Sequence, residues 1–207
     1  MTLQEILALA PVVPVLTIDD PELAVPLARA LVAGGLKALE VTLRTPAALQ
    51  AISRIAAEVE DAVVGAGTVL TPSDMDRAAQ AGALFLVSPG LMDGAHPAGP
   101  VPLLPGIATA SELMRGLAAG FTQFKLFPAV PVGGIGLLKA FAPVFPQARF
   151  CPTGGITAAN APEFLALPNV ACVGGSWVAP SDALLAGDWA KVTSLARAAT
   201  AMAKAPG

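Results

Sequence analysis

The chain has 207 residues, 55% of them hydrophobic and only 13% charged, with a formal net charge of −3. That length suits one sizeable core rather than two average domains, and the apolar content excludes intrinsic disorder. Basic residues stand singly, which excludes a nucleic-acid footprint. The longest stretches without a charge, residues 94–111 and 164–181, are broken by several Pro and Gly and do not read as membrane-spanning helices. Met1-Thr2-Leu3-Gln4-Glu5 has no basic region, so no signal peptide and a cytoplasmic location are expected.

A short helix over 3–9 precedes an apolar strand over 11–18. The next helix, 21–32, opens after Asp19-Asp20 and closes on Gly34-Gly35. Strand 38–44 leads to helix 46–59, with Thr45 as its cap and Pro46 at the first helical position. Strand 62–69 leads to helix 72–80, which has the same Thr-Pro opening and a stop at Gly82. Between strands 84–89 and 101–107, the segment Asp93-Gly94-Ala95-His96-Pro97-Ala98-Gly99-Pro100 is too short and too rich in Pro and Gly for a helix. Helix 110–119, strand 122–127, helix 134–142, strand 149–156, helix 158–167, strand 170–178 and helix 182–203 complete the chain.

Most strands are nearly continuous runs of Val, Ile, Leu and Phe with small residues, which suits parallel strands covered on both faces. Eight of them alternating with helices predict an α/β fold, a (β/α)8 TIM barrel. It forms a single domain over 1–207, with an extra N-terminal helix and a shortened fourth helical unit. A doubly wound open sheet is the alternative architecture.

Polar groups enter these strands at few places. In Ala38-Leu39-Glu40-Val41-Thr42-Leu43-Arg44, one face is aliphatic and the other carries Glu40, Thr42 and Arg44. The helix-facing side must be the apolar one, so the polar set points inward. Buried charges are costly unless paired or used, so Glu40 and Arg44 are either a structural ion pair or part of a site. Of five lysines, Lys125 alone lies inside a strand, near the C-terminal end of 122–127 and flanked by apolar side chains in Phe124-Lys125-Leu126-Phe127-Pro128. An amine desolvated in this way becomes a nucleophile toward carbonyls; a lysine snorkelling from a rim is the other reading.

Thr68 ends the third strand, and its Gly65-Ala66-Gly67 lacks the third glycine and following helix of a dinucleotide site. Gly133-Gly134-Ile135-Gly136 with Lys139 lacks P-loop spacing. Two glycine pairs, Thr153-Gly154-Gly155 and Gly174-Gly175-Ser176, end the last two strands, where barrels commonly hold phosphate on backbone N–H groups. Ser176 is placed to add a hydroxyl at a helix start. Cys151 and Cys172 read as core thiols and the single His96 as a loop residue, which leaves no metal site.

Six segments resemble the 2-keto-3-deoxy-6-phosphogluconate and 4-hydroxy-2-oxoglutarate (KDPG/KHG) aldolase family, class I. They are Leu39-Glu40-Val41-Thr42-Leu43-Arg44, Val64-Gly65-Ala66-Gly67-Thr68-Val69, Ser88-Pro89-Gly90, Phe124-Lys125-Leu126-Phe127-Pro128-Ala129, Arg149-Phe150-Cys151-Pro152-Thr153-Gly154-Gly155-Ile156 and Gly174-Gly175-Ser176-Trp177. The resemblance implies a metal-free, cofactor-free lyase of sugar-acid catabolism, homotrimeric, acting on a keto-acid phosphate without nucleic-acid or membrane partners. It implies cleavage of 2-keto-3-deoxy-6-phosphogluconate to pyruvate and glyceraldehyde 3-phosphate, and of 4-hydroxy-2-oxoglutarate to pyruvate and glyoxylate. Lys125 would form the Schiff base, and Glu40 would be the general acid and base. Arg44, Thr68, Pro89, Phe127 and Thr153 would bind the pyruvyl end, and Gly154, Gly155, Gly174, Gly175 and Ser176 the phosphate. The alternatives are the galactonate analogue, a sugar-phosphate isomerase or epimerase, and a non-catalytic phosphate-binding barrel. Two departures stand out: the short stretch 90–101, and Val130-Pro131-Val132 where many relatives carry a glutamate.

Overall fold

A computed structural model describes residues 1–97, 99 and 101–202. Ala98 and Pro100 of the shortened unit, and residue 203 of the last expected helix, lie outside the described residues. The strands are β1 (Val12–Leu16), β2 (Ala38–Thr42), β3 (Val63–Gly67), β4 (Leu86–Val87), β5 (Leu103–Leu104), β6 (Gly106–Ile107), β7 (Gln123–Leu126), β8 (Arg149–Pro152) and β9 (Val173–Gly175). The helices are α1 (Leu3–Ala8), α2 (Ala24–Ala33), α3 (Ala48–Glu58), α4 (Pro72–Gln80), α5 (Ala110–Ala118), α6 (Gly134–Val144), α7 (Ala161–Leu165), α8 (Ser181–Ala186) and α9 (Trp189–Thr200).

Every strand pairing among the described residues is parallel. Six strands form one sheet in the order β5-β4-β3-β2-β1-β9, and three form another in the order β6-β7-β8. Isolated bridges Phe150–Val170 and Thr153–Gly174 join β8 to the β9 region. The expected strand 101–107 is interrupted at Pro105, which has no N–H to give a ladder; β5 and β6 are its two halves, one in each sheet. The result is an α/β fold with a curled parallel sheet.

Two apolar clusters occupy its two faces. The larger fills the space between strands and helices, with Leu39, Val41, Val64, Phe124, Leu126 and Val173 meeting Leu27, Ile52, Leu113 and Val192. The smaller lies on the inner face: Val13, Ala38, Phe85, Val87, Leu104, Cys151 and Cys172 pack under Leu3, Ile6 and Leu7 of α1. Among the described residues α1 is thus the one helix contributing to that inner cluster, whereas a doubly wound sheet would carry helices on both faces. Thr2 starts α1 with a capping box, its hydroxyl accepting from Glu5 N–H while Glu5 accepts from Thr2 N–H. Both cysteine thiols are buried in this inner layer.

Several expected boundaries move. Thr71 and Thr109 cap α4 and α5 with capping boxes, but Thr45 does not cap α3. Residues 43–47 form the turn that leaves β2, α3 starts behind Ala47 without a side-chain cap, and the Thr45 hydroxyl donates to the Ile18 carbonyl instead. Pro21–Leu23 is a 3-10 turn ahead of α2, and the expected helix 158–167 shrinks to α7. The helix expected over 182–203 is two helices, because Gly187 takes a left-handed φ of 63° and Asp188 caps a fresh start at α9. No helix forms among the described residues between β4 and β5, as the composition of that stretch predicts. His96 lies there and is exposed. Among the described residues no helix is long and apolar enough to cross a membrane.

Candidate active site

Alternation along the strands sets the site. With Leu39 and Val41 turned to the helices, Glu40 of β2 faces inward; with Phe124 and Leu126 turned outward, so does Lys125 of β7. The two meet across the interior: Lys125 Nζ donates to Glu40 Oε1 at 3.0 Å, with both residues buried, 4% and 3% exposed. The structural Glu40–Arg44 pair is therefore not made. Arg44 stands past the end of β2, where its Nε donates to Thr68 Oγ1 at 3.0 Å. Coulombic attraction over a short buried distance outcompetes that over a longer exposed one, and Lys125 is the cation the sheet brings to Glu40. Lys125 Nζ also lies 5.3 Å from the centre of the Phe127 ring, within cation–π range.

Thr68 does not belong to β3 but follows it, at a left-handed φ of 57°. A β-branched residue there is strained, and backbone bonds on either side, from Leu43 N–H to the Gly67 carbonyl and from Val69 N–H to the Val87 carbonyl, fix the chain through it. Pro89 comes close by a different device. Its backbone packs against Gly106, where a Cβ would lie 2.2 Å from the Pro89 carbonyl, and Gly106 is the β6 partner of Lys125. Ser88 Oγ donates to the Gly90 carbonyl at 2.7 Å and secures this turn.

A cleft of about 240 Å³ opens beside the buried pair; Glu40 and Lys125 do not line it, and Phe127, whose ring lies 5.3 Å from Lys125 Nζ, connects the two. Arg44, Phe127, Thr153, Gly154, Gly155, Gly174, Gly175 and Ser176 all line it. Thr68 and Pro89 flank the buried pair without lining this cleft. Gly154 and Gly155 both hold left-handed φ, 98° and 79°, which suits glycine alone. The carbonyls of this loop are engaged: Thr153, Gly154 and Gly155 accept from Ala129 N–H, Val130 N–H and Asn160 Nδ2. Thr153 N–H donates to the Leu126 carbonyl, so the donors this loop can offer an anion are the Gly154 and Gly155 N–H groups. Gly174 is required by space, since a Cβ would lie 2.2 Å from Thr153 Oγ1. Ser176 lines the cleft from a turn over 176–179, not from a helix start; α8 begins five residues later.

Val15 and Thr17, which fall in none of the six segments, also line the cleft, as does Ile156, to which the resemblance assigns no role. The available signal is alternation in the first strand, which puts Val13, Val15 and Thr17 on one face. Among the described residues no group of three or more His, Cys, Asp or Glu is arranged to hold a metal.

A family model described as KDPG and KHG aldolase matches residues 3–195. The chain is similar to the 2-dehydro-3-deoxy-phosphogluconate aldolase of Pseudoalteromonas atlantica, 52% identical over 202 residues, covering 96% of this chain and 94% of that one. Its fold is similar to the crystal structure of the 2-keto-3-deoxy-6-phosphogluconate aldolase of Zymomonas mobilis, with TM-score 0.93 and 51% identity over 99% of both chains. A further similar structure is the KDPG aldolase of Legionella pneumophila, with pyruvate captured as a covalent carbinolamine intermediate. It has TM-score 0.93 and 48% identity over 96% of this chain and 98% of that one.

Proposed function

The chain belongs to the KDPG and KHG aldolase family, and from that membership we propose how its residues perform the reaction. It is a class I aldolase, a carbon–carbon lyase that splits 2-keto-3-deoxy-6-phosphogluconate into pyruvate and glyceraldehyde 3-phosphate. The one observation that carries the assignment of roles is the buried Lys125–Glu40 contact at 3.0 Å beside a cleft lined by Arg44 and two glycine pairs.

Lys125 Nζ adds to the C2 carbonyl of the substrate, and loss of water from the carbinolamine leaves a protonated Schiff base. Glu40 takes the proton of the C4 hydroxyl; as that oxygen becomes the aldehyde, the C3–C4 electron pair moves into the iminium to give an enamine. A proton returned to C3, followed by hydrolysis, releases pyruvate and regenerates the amine. Arg44, steadied by Thr68, binds the carboxylate through its remaining guanidinium donors. Pro89, Phe127 and Thr153 enclose the pyruvyl carbons. Gly154, Gly155, Gly174, Gly175 and Ser176 hold the 6-phosphate, so binding energy remote from the reacting bond orients it. Unphosphorylated 4-hydroxy-2-oxoglutarate is the second substrate.

The architecture supporting these roles is a closed eight-stranded barrel in one domain over 1–207, with α1 across its bottom. Support comes from β5 and β6, which continue one run of chain between the two sheets, and from the bridges between β8 and β9, which link their other ends. The functional form is a cytoplasmic homotrimer. The deciding experiment is incubation with pyruvate and borohydride, which should add a covalent adduct at Lys125 that Lys125→Ala abolishes. An isomerase or a passive phosphate-binding barrel gives no adduct, and its absence from the native chain would refute the assignment.

A further inference from the structure

One wall of the cleft has a polarity that the reaction above leaves unused. Buried Thr42 gives its only hydroxyl proton to the Leu16 carbonyl at 2.9 Å. Thr17 Oγ1 stands 3.1 Å from Thr42 Oγ1. A hydroxyl has one proton and two lone pairs, so in this contact Thr17 donates and Thr42 accepts. Thr17 is exposed at the end of β1, where it lines the cleft between Arg44 and Ser176. Its proton is turned back into the protein, and what it presents to the cleft is lone pairs.

The neighbouring groups mostly present the opposite. Arg44 and the glycine-loop N–H groups donate, which matches the carboxylate and phosphate ends of the substrate. Thr153 also turns its proton inward, toward the Cys151 carbonyl at 3.4 Å, but it is buried at the cleft floor. A phosphate has no proton to give to an exposed lone pair near pH 7 beyond its weakly acidic second one. The substrate group that does is a hydroxyl, and Glu40 already serves the one at C4. We infer that Thr17 is a specificity-determining residue, accepting a hydrogen bond from the C5 hydroxyl, one carbon from the phosphate-bearing C6. The inference rests on the aldolase reading and extends it to the half of the substrate that leaves as the aldehyde.

Condensation of pyruvate with two aldehydes tests it: glyceraldehyde 3-phosphate, whose 2-hydroxyl becomes the C5 hydroxyl, and 3-phosphopropanal, which lacks it. The ratio of kcat/KM for the two should fall about tenfold in Thr17→Val, the scale of one neutral hydrogen bond in a cleft. Thr17→Ala should show the same fall, and Thr17→Ser should restore the ratio to within about twofold. A ratio that stays put in Thr17→Val and Thr17→Ala, or equal losses with both aldehydes, overturns the assignment. Failure of the native chain to condense either aldehyde or to trap pyruvate overturns the aldolase reading instead.

Discussion

Gly67→Ala tests whether the position of the Glu40 carboxylate, and not merely its presence, is needed for turnover. Gly67 ends β3 beside β2, and a methyl there would lie 2.2 Å from Glu40 Oε1, 2.7 Å from Cγ and 2.8 Å from Cδ. Ordinary contact begins near 3.4 Å, so the carboxylate must retreat by about 1.2 Å. Gly67 is not among the residues with positive φ, so the backbone accepts alanine and the strain falls on the side chain. Glu40 is 3% exposed and has little room to yield without lengthening its 3.0 Å bond from Lys125. A displacement of this size in a catalytic group costs on the order of 10²-fold in rate, while overpacking costs about 1–3 kcal/mol of stability. The assay pairs steady-state cleavage with borohydride trapping and a thermal melt. The expected outcome is a folded protein with a lowered Tm that still traps pyruvate on Lys125 but turns over about a hundredfold more slowly. Turnover within threefold of the parent, in a protein that melts normally, would refute a positional role for Glu40.

Ser176→Asp places a carboxylate in the proposed phosphate site, and like charges a few ångströms apart repel. KM for the phosphorylated substrate should rise by on the order of 10²-fold, whereas deuterium exchange into the methyl group of pyruvate should barely change; equal losses would remove Ser176 from phosphate binding. Acid stability gives a separate check at α5. Burial raises the Glu112 pKa, but hydrogen bonds from Ala108 N–H, the Thr109 hydroxyl and Thr109 N–H outweigh it, and the net shift is down from the ordinary 4.5. A depressed carboxylate pKa adds stability above the unfolded value that is lost as pH falls through the folded one. Glu112→Gln, which keeps the capping box but removes the charge near the helix N-terminus, should therefore lower stability by about 0.3–1 kcal/mol at pH 7, with the gap to the parent closing below about pH 4.5. Melts that keep the same gap at pH 3 would contradict this.

Much of the molecule follows from local sequence. The apolar runs, each of a length that spans a small sheet, specify parallel strands, and Thr-Pro openings place helix starts at α4. Alternation alone turns Glu40 and Lys125 inward, because an outward charge would sit among Leu39, Val41, Phe124 and Leu126. Boundaries were less legible: Thr45 looks like a cap yet bonds the Ile18 carbonyl, and Pro105 cuts one expected strand in two. Both outcomes depend on which backbone groups a neighbouring strand supplies.

The pairing of Glu40 was not decidable from the chain, since Arg44 is four residues away and Lys125 is 85. Curling the sheet brings β7 opposite β2 and leaves Arg44 at the mouth with Thr68. The same holds for the direction of the Thr17 hydroxyl, which depends on Thr42, 25 residues on, and on the carbonyl that Thr42 reaches. Residue type and period determine which side chains a strand can bury, because they are properties of a single segment. Which buried groups touch, and which way their protons point, depends on strand register and curvature, and only the folded chain has those.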